Sequence, residues 1–153
     1  RAQRREIERH VGQHVAHQRL VGEALAEGVI DIVATDHAPH PSETKECEWQ
    51  AASFGMLGLE TALSIVNLTM VESGLMKWSD VADRMSAAPA KIGRYENHGH
   101  QIAVGKPAHI TVMNPTATHR VDRDRMASRS RNTPFHGMEL PGTILVKRFF
   151  KRE

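Results

Sequence analysis

The chain has 153 residues and a mass of 17.1 kDa, with 40% apolar and 25% charged residues, which suits a folded globular domain and excludes collagen-like or disordered character. Twenty Lys and Arg against eighteen Asp and Glu leave a formal charge of +2, too balanced to argue for nucleic acid, and 5% aromatics offer few stacking platforms. Apolar runs are a few residues long where a membrane span needs about 20, and no basic start leads into an apolar core and a small-residue cleavage site, so a soluble, cytoplasmic protein is expected.

A single cysteine, Cys47, rules out an internal disulfide and a Cys-rich zinc module and fits a reducing compartment. Ten histidines direct attention to metal and proton chemistry. The chain begins with Arg1 rather than Met, which points to an incomplete or processed product.

From Arg1 to Gly28, Ile7, Val11, Val15, Val21 and Leu25 recur at roughly helical spacing, predicting a weakly amphipathic helix that ends at Gly28. His10, His14 and His17 would share one face, either as metal ligands or as part of a solvated surface. Val29 to Thr35 is a β-branched run with little alternation, predicting a strand buried on both faces of a parallel sheet. After a polar stretch from Pro41 to Gln50, Met56, Leu59, Leu63, Val66 and Met70 alternate at spacings of three and four, predicting a helix from about Met56 to Ser73 stopped by Gly74. A second helix is expected from Ser79 as N-cap to about Ala87, closed by Pro89.

From His98 onward short β-type segments are punctuated by turns: Gln101 to Val104, Gly105-Lys106-Pro107, Ile110 to Met113, Asn114-Pro115, Thr118 to Val121 and Thr143 to Phe150. They predict a small appended sheet. The arginines between Arg120 and Arg131 read as a solvated loop or a phosphate-binding patch.

Chemistry concentrates in Thr35-Asp36-His37-Ala38-Pro39-His40, because α/β folds present reactive groups where parallel strands end. Asp36 could bind a divalent metal and take a proton from metal-bound water, whose pKa zinc lowers to about 7; equally, it could cap a loop. Likewise, His37 or His40 could simply hydrogen-bond the loop backbone. His98 and His100 read as a surface turn or a metal pair, whereas Cys47, flanked by Glu46 and Glu48, lacks the setting of a nucleophile. Met56, Met70, Met76 and Met85 read as core filler.

Residues Ile30 to His40, Cys47-Glu48-Trp49 and Phe54 to Ala62 resemble the last barrel strand and following loop of a bacterial dihydroorotase, of the metal-dependent amidohydrolases. Ser128-Arg129-Ser130-Arg131-Asn132-Thr133-Pro134-Phe135-His136-Gly137, with Gly142, is similar to that family's closing β-sandwich segment. The resemblance covers about Glu23 to Val146. Hydantoinases and allantoinases share the barrel, but the combination of motifs favours dihydroorotase.

The resemblance implies an α/β fold: the last strand-helix unit of a TIM barrel plus part of a C-terminal β-sandwich, an incomplete barrel. It divides the chain into an atypical segment at 1–20, the barrel end at 21–95 and the sandwich segment at 96–153. It implies zinc-dependent, reversible hydrolysis of dihydroorotate to carbamoyl aspartate in pyrimidine synthesis, with no membrane or nucleic-acid partner. Asp36 would be the catalytic aspartate and a metal contact, with His40 and the backbone of Phe54 and Gly55 as substrate contacts.

The family's His-x-His, its bridging metal ligand and two later metal histidines precede the matched region, so most zinc ligands are not located here. His98 and His100 lie on the wrong side of Asp36 in chain order to replace them. The family's Asn-Pro-Pro-x-Arg loop would fall near Arg9 to Gln13, where this chain reads Arg-His-Val-Gly-Gln. Arg1 to about Gln18 does not match the family, as a frameshift or truncated gene would produce, and His109 replaces a commonly acidic residue. A fragment inactive by itself, with a partly uncovered apolar helix face, is the expected product. The alternative is a non-catalytic interaction subunit, as an oligomer or with another pyrimidine-pathway enzyme.

Overall fold

A computed structural model of the protein describes residues 19–148. The expected helix over the first eighteen residues, with its His10, His14 and His17 face, and the last two residues of the segment Thr143 to Phe150 lie outside the described residues. Among the described residues the fold is a mixed α/β arrangement in two compact units that interleave in sequence: 19–33 with 69–100, and 34–68 with 101–148.

In the first unit, α1 covers 19–27 and ends at Gly28 as its sequence predicts. The Ala24 carbonyl takes the N–H groups of both Val29 and Ile30, at 2.9 and 3.1 Å, closing the helix end. Helix α3 (Trp78–Ala82) continues through a π-helical turn (Asp83–Ala87) into α4 (Ala88–Ile92). The N-cap is Lys77 rather than the expected Ser79, and the Asp80 carboxylate accepts the Lys77 backbone N–H at 2.8 Å. Pro89 does not close this helix. It occupies the first turn of α4, where a proline needs no N–H, and the helix runs on to Gly93. Leu25, Met70, Met76, Val81 and Ala90 are the buried apolar residues here. A methyl group on Gly22 would lie 3.3 Å from Leu75 Cδ1, so α1 packs closely on this core.

The run Val29 to Thr35 is not the buried strand its composition predicts. It forms no ladder among the described residues, and Val29 is 74% exposed. A strand exists only where a neighbouring strand supplies donors and acceptors; here the Val29 and Ile30 N–H groups close the end of α1, and the Val33 N–H goes to the Arg84 carbonyl at 3.1 Å.

From the second unit, α2 (Ala62–Val66) passes into a π-helical turn (Asn67–Val71), and the helical stretch ends at Val71, in a turn that closes on the expected Gly74. It starts later than its apolar periodicity suggests. Met56 and Leu59 precede it and are 45% and 63% exposed, so Met56 is not core filler. Its first turn instead buries a polar row, Thr61, Ser64 and Asn67.

This row faces the only sheet among the described residues, the antiparallel pair β1 (Ile110–Arg120) and β2 (Glu139–Arg148). Register shifts at Val112/Met113 and Asn114/Thr118 interrupt the ladder, leaving carbonyls that need other donors. Ser64 Oγ donates to the Gly142 carbonyl at 3.1 Å and Asn67 Nδ2 to the Pro115 carbonyl at 2.9 Å. Leu57, Val66, Val121 and Leu140 supply the apolar part of the core.

The expected break at Asn114-Pro115 is a bulge inside one strand rather than a gap between two. Asn114 Oδ1 takes up the N–H groups of Thr116 and Ala117 at 3.1 and 3.2 Å, which lets the strand continue. Gln101 to Val104 forms no strand. No helix among the described residues is long and apolar enough to cross a membrane.

Candidate functional site

The site lies wholly in the second unit and begins at Asp36, where φ is +41°, a left-handed conformation that Asp adopts more readily than most residues. That turn separates Thr35 from His37 and leaves the Asp36 side chain exposed, with no hydrogen bond or ion pair to the described residues. Immediately after it, His37 pairs with Met56 in a parallel bridge, and the Ala38 N–H donates to the Met56 carbonyl at 3.0 Å.

Both histidines of the motif bind loop backbone, one of the roles open to them from sequence. His37 Nδ1 accepts the Gly58 N–H at 3.1 Å and that of Leu59 at 3.4 Å. These N–H groups begin the turn leading into α2, where the Ala62 N–H reaches the Gly58 carbonyl at 2.9 Å, so His37 braces the turn that precedes the helix. His40 Nε2 lies 2.7 Å from the Phe54 carbonyl, and because a carbonyl only accepts, Nε2 carries the proton and donates.

His40, Phe54 and Gly55 are thus brought together. Gly55 has φ of +98°, and a Cβ there would sit 2.5 Å from Ala38 Cβ, so only glycine allows the two arms of the loop to approach this closely. The Phe54 ring is 93% exposed and contributes through its backbone rather than its side chain.

Two residues not singled out as site candidates complete the cluster. Lys45 Nζ donates to the Ser53 and Gly55 carbonyls at 2.7 and 3.1 Å. Asn132, 92 residues beyond His40, accepts the His40 N–H on Oδ1 at 3.3 Å and donates from Nδ2 to the Ala38 and Gly55 carbonyls at 2.8 and 3.4 Å. The Asn132 carbonyl also accepts the Leu57 N–H at 3.2 Å. The Asn-Thr-Pro-Phe motif marked this position in the sequence, but nothing local there indicated its partners.

A cavity of about 110 Å³ is bordered by His40, Lys45, Arg131 and Asn132 among others, room for a few waters. The arginine-rich run around it is largely exposed, with the Arg131 guanidinium 3.5 Å from Asp124, as a solvated loop would be. Cys47 is exposed, its thiol 3.7 Å from the Thr44 carbonyl.

Among the described residues no three His, Cys, Asp or Glu side chains converge on a point. Protein-bound zinc takes at least three such ligands. The described part of this chain therefore does not fit a zinc centre, and Asp36 could supply one ligand at most.

Among solved structures the chain is similar to an L-hydantoinase (dihydropyrimidinase) from Arthrobacter aurescens, with a TM-score of 0.77 and 31% identity over 84% of this chain and 29% of that one. A D-hydantoinase (dihydropyrimidinase) from a Thermus species gives 0.76 and 27%, covering 86% of this chain and 29% of that one. These likenesses define the class: the chain is built like a part of an amidohydrolase.

Within that class its sequence relatives are dihydroorotases, and the chain is homologous to them over 80% of its length. Identity is 59% over 122 residues with the dihydroorotase of Streptomyces coelicolor and 53% over 122 residues with that of Mycobacterium tuberculosis. The chain spans 28% of the length of each of these relatives. No family model matches it.

Proposed function

We propose that this chain is the part of a dihydroorotase-type cyclic amidohydrolase that carries the last strand-helix unit of the barrel and part of the closing β-sandwich. The observation that carries the reading is the 59% identity to a dihydroorotase over a region that includes the clustered loop of His40, Phe54 and Gly55. The substrate would be dihydroorotate, opened reversibly to carbamoyl aspartate as a step of pyrimidine synthesis.

In hydrolysis the water oxygen bonds to the ring carbonyl carbon, the carbon–nitrogen bond breaks and a proton moves to the leaving nitrogen. Asp36 suits that proton transfer, since a carboxylate can act as base and then as acid. Its exposure and its lack of partners among the described residues leave it available for this role. His40, Phe54 and Gly55 would hold the ring: the His40 imidazole is fixed by its bond to Phe54, and the bare Gly55 backbone permits close approach of a planar group.

Zinc, expected for the complete enzyme, finds no set of three ligands among the described residues. One carboxylate does not hold a catalytic metal, so the chain by itself should be inactive.

A chimera tests the reading. The 122 matched residues of this chain replace their counterparts in the Streptomyces coelicolor dihydroorotase. Turnover of dihydroorotate within an order of magnitude of the parent supports the proposal. A folded chimera without turnover overturns it.

A further inference from the structure

We infer that Asn132 is the positioning residue of the loop that carries His40, fixing the imidazole and the Phe54–Gly55 backbone as one unit. The functional weight of this inference rests on the substrate-loop reading above; the geometry stands apart from it.

Three observations support it. First, the side-chain amide of Asn132 meets both arms of the loop at once. Oδ1 accepts from the His40 N–H, while Nδ2 donates to Ala38 on the same arm and to Gly55 on the other. Second, the amide has one workable orientation. Turning it over would set oxygen against two carbonyls and NH₂ against an N–H, which removes every one of these bonds. An aspartate keeps the acceptor and loses both donors; a serine or alanine cannot span the two arms.

Third, the anchor comes from a distant part of the chain. Asn132 lies 92 and 94 residues from His40 and Ala38, and its own carbonyl accepts the Leu57 N–H. Lys45 Nζ braces the same Gly55 carbonyl from within the loop, and its other bond goes to the Ser53 carbonyl. Asn132 therefore ties the His40 backbone to Gly55, in addition to the direct bond from the His40 ring to the Phe54 carbonyl. His40 and Asn132 both border the cavity.

Nuclear magnetic resonance of the whole ¹⁵N-labelled chain tests this, reading amide exchange of His40 and the ring-nitrogen shifts of its imidazole. The wild type should show the tautomer protonated at Nε2. In Asn132→Ala the His40 amide should exchange roughly tenfold faster, the effect of losing about one hydrogen bond. Its ring signals should move toward those of a free imidazole. The Val121 amide, bonded to the Met138 carbonyl at 2.9 Å, should keep its protection.

In Asn132→Asp the His40 amide should stay protected while the ring signals still move, because only the donors are lost. Unchanged His40 signals in both variants would overturn the inference. So would parallel loss of protection at Val121 and His40, or unfolding of both variants, since Asn132 would then be merely structural. If these changes occur while the chimera is inactive, the substrate reading fails and the positioning role stands.

Discussion

His37 Nδ1 accepts the backbone N–H of Gly58 at 3.1 Å, so the first histidine of the Asp36-to-His40 motif braces the turn before α2. The unprotonated nitrogen faces the helix start, which leaves the neutral ring's proton on Nε2. A side chain that sequence alone leaves between chemistry and support is, in this fold, support.

His37→Ala should therefore destabilise the protein by about 1 kcal/mol, the usual net worth of one intramolecular hydrogen bond. His37→Asn, whose carboxamide oxygen can accept the same bond, should lose less. Urea denaturation midpoints of the two variants check this; equal losses would show that ring packing, not this hydrogen bond, matters.

Gly55 and Gly105 both have positive φ, at +98° and +84°, but differ in their surroundings. Nothing lies within 4 Å of a Cβ at Gly105, whereas one at Gly55 meets Ala38 Cβ at 2.5 Å. Gly105→Ala should cost about 1 kcal/mol of backbone strain, and Gly55→Ala about 2–4 kcal/mol, since overpacking is added. Pairing Gly55→Ala with Ala38→Gly should recover the overpacking part, which a double-mutant cycle measures.

Ser64 is buried and donates to the Gly142 carbonyl across 78 residues of sequence. Ser64→Ala leaves that carbonyl without this donor and should cost about 1–2 kcal/mol. A thermal or urea melt reads the loss, and an unchanged midpoint would mean that water replaces the serine.

Asp36→Asn keeps the shape and polarity of the side chain but cannot exchange a proton. In the chimera it should lower kcat roughly 100- to 10,000-fold, the range for removing a general acid–base group, with an unchanged circular dichroism spectrum. The purified chain alone, supplied with zinc, should show no turnover above background, because the described residues bring no three metal ligands together.

Much of the local framework was legible in the sequence. The end of α1 at Gly28, the turns at Gly74 and Gly105, and the loop with its two histidines all follow from residue chemistry acting over a few positions. The motif segments also pointed to the family that the comparisons support. The domain division at residues 20 and 95 and the roles of Asp36, His40, Phe54 and Gly55 remain proposals.

Periodicity misled where tertiary partners decide. The spacing of Met56 and Leu59 suggests a helix beginning there, but their backbone is engaged by Ala38 and His37, and that of Leu57 between them by Asn132, so α2 starts after them. The same helix buries Ser64 and Asn67 because the bulged strands present carbonyls that need donors, a demand no hydropathy pattern records. Val29 to Thr35 has the composition of a buried strand, yet composition supplies no neighbour, and without one the run stays unpaired among the described residues.

By itself, then, the sequence determined that α1 stops at Gly28, where the loop turns and which reactive groups stand in it, because those depend on contacts within a few residues. Only the tertiary structure decided which polar side chains are buried, that His37 braces the turn before α2, and that Asn132 closes the loop on His40. The last of these joins atoms more than 90 residues apart, and such a bond forms only when the folded chain brings donor and acceptor within about 3 Å.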